Sequence, residues 1–388
     1  MSSRSAARMG DIAPFHVMEL MAKAKAIEAA GRSVIHMEVG EPDFPTPAPV
    51  LAAARQFIDG GQVFYTNALG LPELREAISG FYRQRYGVAV DPARIVVTAG
   101  ASAALLLALA VLIDPGQELL LADPGYPCNR HFARLFEGRA KPISVGPESD
   151  YQPTPEQVGA HWSANTRGLL VASPSNPTGT LIDQARLAEL WRTTSERGGT
   201  LLVDEIYHGL TYGFDAPTAL GIADDIFVIN SFSKYFGMTG WRLGWMVVPP
   251  AYLRDIEKLA QNLYISPSTP AQHAALAAFT PETITILEAR RAEFQARRDL
   301  LLPGLEDLGF RVAATPQGAF YIYAGLGDLA PDSFPFAMEL AEQAGVAATP
   351  GLDFGSNAPE RHMRFAYTVT REKLAEGLAR IERFLRRR

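Results

Sequence analysis

Between residues 91 and 249, short apolar runs rich in Val, Ile and Leu alternate with longer segments whose apolar residues recur at helical spacing. Seven of the short runs predict strands, at residues 94–98, 118–122, 142–145, 168–172, 200–203, 226–230 and 243–248. They lack polar alternation, so both faces of each strand should be covered, as in a mainly parallel sheet with helices on either side. Beyond Pro249 the pattern is helical through Leu302 with a boundary at Pro281, and from Phe310 it becomes a mixture of helix and strand. Residues 15–30 carry one helical period and residues 33–38 one short strand, too little to fold alone, so this N-terminal stretch should pack on the C-terminal part. The pattern predicts an α/β protein. A large domain at 45–280 holds the seven-stranded, mainly parallel sheet, and a smaller α+β domain is assembled from 1–44 and 281–388.

Composition narrows the function. A chain of 388 residues that is 47% hydrophobic can bury a sizeable core. Its 36 basic and 42 acidic residues are mixed along the sequence for a net charge of −6, which offers no field for nucleic acid or an anionic membrane. The expected partner is a small molecule. The terminal run Arg386-Arg387-Arg388 reads as solvated cations favouring a helix dipole. The single cysteine, Cys128, excludes an intrachain disulfide and fits a cytoplasmic setting. The first ten residues, with Arg4 and Arg8, lack the apolar core of a signal peptide, and no stretch reaches eighteen consecutive apolar residues. No histidine spacing matches a metal site, so no metal is expected.

In an open parallel sheet, ligands bind beyond the carboxyl ends of the strands. Four predicted strands end in suggestive residues. The run at 168–172 leads into Ser173-Pro174-Ser175-Asn176-Pro177-Thr178-Gly179, a turn that would hold the Asn176 amide. The run at 200–203 is followed by Asp204-Glu205 and Tyr207, and that at 226–230 by Ser231-Phe232-Ser233-Lys234. After 94–98, Gly100, Ala101 and Ser102 open an apolar helix, whose free N–H groups and dipole suit a phosphate-sized anion. Taken singly, each has a plainer reading: turn chemistry for Gly100, a helix N-cap for Asp204, a loop amide for Asn176 and a solvated surface cation for Lys234. Together they place an anion site, an acid, an amide, a phenol and a lysine on one sheet edge. That is what pyridoxal 5'-phosphate (PLP) chemistry needs: an amine to form the Schiff base and a carboxylate to keep the pyridine nitrogen protonated.

The segment Ser231-Phe232-Ser233-Lys234-Tyr235-Phe236-Gly237-Met238-Thr239-Gly240-Trp241-Arg242-Leu243-Gly244 resembles the cofactor-attachment segment of the class I/II aminotransferases, which are fold type I PLP enzymes. The Asn176 and Asp204 motifs precede it in the family's order, and the resemblance runs from about Gly40 to Ala366. It implies that Lys234 binds PLP as an internal aldimine, that Asp204 pairs with the pyridinium nitrogen, and that Asn176 and Tyr207 hydrogen-bond the ring hydroxyl. The phosphate would lie on the backbone of Gly100, Ala101 and Ser102, with Ser231, Ser233 and the bidentate guanidinium of Arg242. Tyr126, in Asp123-Pro124-Gly125-Tyr126-Pro127, resembles the aromatic that stacks on the ring. Tyr65, before Thr66-Asn67-Ala68-Leu69-Gly70, resembles the tyrosine that reaches the neighbouring subunit's phosphate, which implies a homodimer.

Arg364, in Arg361-His362-Met363-Arg364-Phe365-Ala366, resembles the arginine that grips the substrate α-carboxylate; Arg361 falls on the opposite strand face by alternation. Gly40 resembles the glycine beside that carboxylate, and Phe15 and Ile12 resemble residues that close over the substrate. The same residue types also serve as turn, packing or ion-pairing groups outside this family. The implied activity is transfer of an amino group from an L-amino acid to a 2-oxo acid through pyridoxamine phosphate. The alternatives are a carbon–sulfur lyase or an aminocyclopropane-carboxylate synthase-like enzyme of the same fold. A PLP-binding transcription regulator would need a basic DNA-binding module ahead of the sheet, and a dinucleotide binder would need Gly-x-Gly-x-x-Gly, which is missing here. Ser102 stands where some bacterial aspartate aminotransferases carry a lysine for a distal carboxylate, which leaves aspartate and apolar or broad donors equally open.

Overall fold

The computed structural model describes residues 5–388. Its strands fall in two sheets. In chain order, β1 (Ile35–Met37) belongs to the smaller sheet. The larger sheet contains β2 (Ile95–Thr98), β3 (Glu118–Asp123), β4 (Arg139–Ser144), β5 (Thr166–Ala172), β6 (Thr200–Asp204), β7 (Phe227–Ser231) and β8 (Gly244–Val247). The smaller sheet then resumes with β9 (Tyr321–Gly325), β10 (Val346–Pro350) and β11 (His362–Ala366). The larger sheet has the order β2-β8-β7-β6-β5-β3-β4, with β8 antiparallel to both neighbours. From β7 to β4 every pairing is parallel, so these strands deliver their carboxyl ends to one edge. The order reverses between β3 and β5, the type of switch point at which α/β sheets bind ligands.

All seven expected strands form. The run at 142–145 marks only the end of its strand, because β4 lies at the sheet edge with one strand neighbour and its exposed positions, Arg139 and Pro142 among them, need not be apolar. Elsewhere the unbroken apolar character reflects burial on both faces. Val97, Leu120, Leu169, Val171, Leu201, Val203 and Val228 join one core cluster, while their neighbours Val96, Leu119, Leu121, Leu170, Leu202, Phe227 and Ile229 join another. The second cluster is filled largely by the helix Gly100–Leu112, which is apolar on nearly every side and therefore buried.

The N-terminal helix α1 (His16–Ala29) and β1 pack on C-terminal elements, with β1 parallel to β10 in a sheet of order β1-β10-β11-β9. The long helix α2 (Pro281–Asp307) starts at the expected proline, and Thr280 caps it by accepting the Thr283 N–H. It continues past Leu302 through Pro303, where the buried residues Leu301 and Leu305 hold the last turn. Among the described residues no helix is long and apolar enough to cross a membrane.

Helix α2 also fixes the loop after β1. Arg297, only 3% exposed, lies over the rings of Phe44 and Phe294, donates to both Asp43 oxygens at 2.8 and 3.2 Å and contacts Glu293 at 3.1 Å. Removing one partner of a buried pair strands the other charge. Arg297→Leu should therefore lower unfolding stability by about 3 kcal/mol, toward the small end of that range because Asp43 is partly exposed. Urea denaturation of wild type and variant checks this; an unchanged midpoint would show that solvent already carries Asp43.

Candidate active site

A cavity of about 320 Å³ lies between the carboxyl ends of the larger sheet's strands and the smaller sheet. Asp204, Lys234, Asn176, Tyr207, Tyr126, Ala101, Ser102, Gly40, Phe15 and Arg364 all line it. Asp204 is the last residue of β6, and its buried carboxylate accepts the Ile206 N–H at 3.0 Å. The cap-like bond expected of an aspartate there is thus present while the group also lines the cavity. Burial raises its pKa to about 7, against the opposing pull of the Ile206 N–H and the Lys234 cation.

Lys234 follows β7 and donates from Nζ to the Gly40 carbonyl at 2.7 Å. Burial lowers its pKa to about 8, and Arg364 and Arg242 push the same way while Glu41 and Asp204 oppose them. An amine and a carboxylate are thus both drawn toward neutrality by one desolvated space.

Beside this pair is a cradle for an anion. Gly100, at φ +79°, opens its helix, and a Cβ there would lie 2.7 Å from Arg242 Nη2, so only glycine lets the guanidinium approach the helix start. Arg242 donates to the Thr239 carbonyl at 2.9 Å and lies 3.5 Å from the Ser233 hydroxyl. The Ser231 hydroxyl in turn lies 2.9 Å from that of Ser233. Free backbone N–H groups, two hydroxyls and a cation converge here.

On the smaller-sheet side, Arg364 from β11 is 7% exposed. It donates to Asn176 Oδ1 at 2.9 Å and to the Glu38 carbonyl at 2.6 Å, and it lies over the rings of Tyr321 and Phe354. Its Nε has no partner among the described residues, leaving a buried donor free for a ligand acceptor. Arg361 instead bonds the carbonyls of Ala330, Pro331 and Gly327 outside the cavity, as strand alternation predicts. Tyr207 shares a 2.9 Å hydrogen bond with Tyr321, and Gly40 is required because a Cβ would sit 1.9 Å from the Tyr321 hydroxyl.

Gly100, Ser231, Ser233 and Arg242 form the cradle beside the cavity and are not among its lining residues. Ile12, expected to close over the substrate, is not among them either, while Tyr65, expected to serve a neighbouring subunit, is 79% exposed. Sequence reading missed Glu38, Tyr321, Thr349, Asp353, Phe354, Met18 and Met21, which complete the wall. They follow no apolar run of the larger sheet and become neighbours of the site only through the smaller sheet. Among the described residues no cluster of His, Cys, Asp or Glu could hold a metal ion.

The fold and this constellation define a fold type I transferase. Residues 32–381 match the family described as aminotransferase class I and II. The valine–pyruvate aminotransferase of Mycobacterium tuberculosis is 37% identical over 387 residues, spanning 99% of each chain. An aspartate aminotransferase of Streptomyces avermitilis is 34% identical, spanning 98% of this chain and 96% of its own. A solved aminotransferase from M. tuberculosis, 37% identical, superposes over the whole of both chains with a TM-score of 0.96. The chain belongs to the class I and II aminotransferase family, and it is a transaminase.

The depressed pKa of Lys234 makes a prediction for the cofactor-free protein. Borohydride trapping of a small aldehyde on Lys234 should speed up with pH and level off with a half-point near 8, since the neutral amine is the nucleophile. Peptide mapping of the trapped product reads this; a half-point near that of free lysine, about 10.4, would show the amine to be solvated.

Proposed function

We propose that the protein moves the amino group of an L-amino acid to a 2-oxo acid with PLP as its cofactor. The observation that carries this reading is one cavity enclosing the Lys234 amine, the Asp204 carboxylate and the Arg364 guanidinium beside an anion cradle. The donor set fits the group: the cradle at Gly100 and Arg242 suits a phosphate, and the buried Asp204 carboxylate suits a protonated ring nitrogen, whose positive charge would offset the desolvation that raises the acid's pKa. When bound, PLP supplies a reactive aldehyde and a ring that accepts electrons from the substrate α-carbon.

The chain's own residues do the rest. The N–H groups of Gly100, Ala101 and Ser102, with Ser231, Ser233 and Arg242, would hold the phosphate. Asp204 would keep the proton on the ring nitrogen, Asn176 and Tyr207 would bond the ring hydroxyl, and Tyr126 would pack against the ring. Lys234 would hold the aldehyde carbon; once displaced, its largely desolvated amine would carry the proton from the substrate α-carbon to that carbon. Arg364 and the Gly40 backbone orient the α-carboxylate, and Phe15 covers the substrate.

In this reading residues 45–280 form the cofactor-binding domain, and 1–44 with 281–388 form the smaller one. The chain works as a cytoplasmic homodimer. The exposed side chains Val63, Phe64, Tyr65, Leu263 and Ile265 support an interface that carries Tyr65 to the neighbouring site.

The test is the visible absorption of PLP-loaded protein during titration with amino acids and then 2-oxo acids. Loss of the band with a donor and its return with an oxo acid is the expected result; release of ammonia without return would identify a lyase. Lys234→Ala should abolish the response. Asp204→Ala should slow it on the order of 10²–10³-fold by removing the electrostatic partner of the ring nitrogen, and equal rates for this variant and wild type would remove Asp204 from the chemistry.

A further inference from the structure

The wall that the N-terminal segment contributes to the cavity is apolar at Phe15, Val17, Met18, Met21 and Val39. Glu38 interrupts it. This residue has no solvent exposure, and its Oε1 lies 2.6 Å from His36 Nδ1 while Oε2 has no hydrogen-bond partner among the described residues. An ionised carboxylate only accepts hydrogen bonds, so a buried oxygen without a donor is costly unless it serves a purpose.

His36 lies on the outer side of Glu38, and its other nitrogen is 3.2 Å from Glu28. The hydrogen bond to Glu38 is the main cause that raises its pKa to about 9, so the ring is cationic at neutral pH. The pair is then a dipole whose carboxylate lies behind the cavity surface, out of reach of solvent, so it acts on the cavity through its charge and not by contact. The other carboxylate on this side, Asp353, engages both oxygens with the N–H groups of His16 and Val17 at 2.8 and 2.9 Å.

The basic residues of the lining are Lys234 and Arg364, and both are already assigned, one to the cofactor and one to the α-carboxylate. A second carboxylate on a substrate would find no unclaimed cation in this wall and would approach Glu38, a like charge in a desolvated space. An apolar side chain would find the flexible Met18 and Met21. We propose that Glu38 is a specificity-determining residue that excludes substrates with a distal carboxylate, so that both the amino donor and the 2-oxo acceptor carry a single carboxylate. This deepens the transamination reading and rests on it.

The experiment compares the two half-reactions of PLP-loaded wild type, Glu38→Gln and His36→Gln by stopped-flow absorption. The probes are valine and glutamate as donors, then pyruvate and 2-oxoglutarate as acceptors. Wild type should favour valine and pyruvate. Glu38→Gln should raise the dicarboxylate-to-monocarboxylate ratio of kcat/KM on the order of tenfold, because it removes the repulsion. His36→Gln should lower that ratio, because it removes the neutralising cation and keeps the carboxylate. A purely structural role would weaken both substrate classes together and leave the ratio where it was, which overturns the proposal. A wild type that favours glutamate and 2-oxoglutarate overturns it as well. If no amino acid alters the absorption of wild type, the transamination reading fails and the proposal falls with it, an outcome distinct from normal turnover with an unmoved ratio.

Discussion

The hydrogen bond from Lys234 Nζ to the Gly40 carbonyl ties the larger sheet to the loop after β1, and the desolvation around it sets the chemistry of the cavity. In water a lysine amine and an aspartate carboxylate are both fully charged at neutral pH. Enclosed together they are pulled in opposite directions, the amine down to about 8 and the acid up to about 7. Neither shift would survive if the smaller sheet and α1 did not cover the ends of β6 and β7. The cover is built from both termini of the chain, because β1 pairs with β10 and Arg364 reaches from β11 to Asn176 and to the Glu38 carbonyl. Catalytic competence therefore depends on contacts between residues hundreds of positions apart as much as on the sheet that presents the groups.

That dependence explains which parts of the site were legible beforehand. Tyr126 became legible only through its short motif, whereas Asp204, Lys234, Asn176 and Gly100 each come shortly after an apolar run, and parallel pairing from β5 to β7 brings three of those runs out on one edge. Local pattern plus one topological rule was enough for them. Arg364 became legible through its short motif, and its separation from Arg361 through strand alternation. Tyr321, Phe354 and Glu38 carry no such mark. Tyr321 matters because its hydroxyl meets Tyr207 and occupies the space that a Gly40 side chain would need. No spacing within any one segment encodes that meeting. The first half of β4 was missed for a different reason: an edge strand with exposed positions does not need the apolar run by which buried strands are recognised.

The smaller-sheet wall also joins substrate contact to helix position. Asp353 caps α1 through the N–H groups of His16 and Val17, and the adjacent Phe354 lies against the Arg364 guanidinium. The 353–354 turn therefore borders both the start of α1, which carries Phe15, Val17 and Met18 into the cavity, and the packing of the Arg364 guanidinium. The His36 contacts to Glu28 on α1 and to Glu38 beside β1 form a second tie across the same junction. Two polar ties, one near each end of α1, thus fix the helix against the turn and strand that border Arg364.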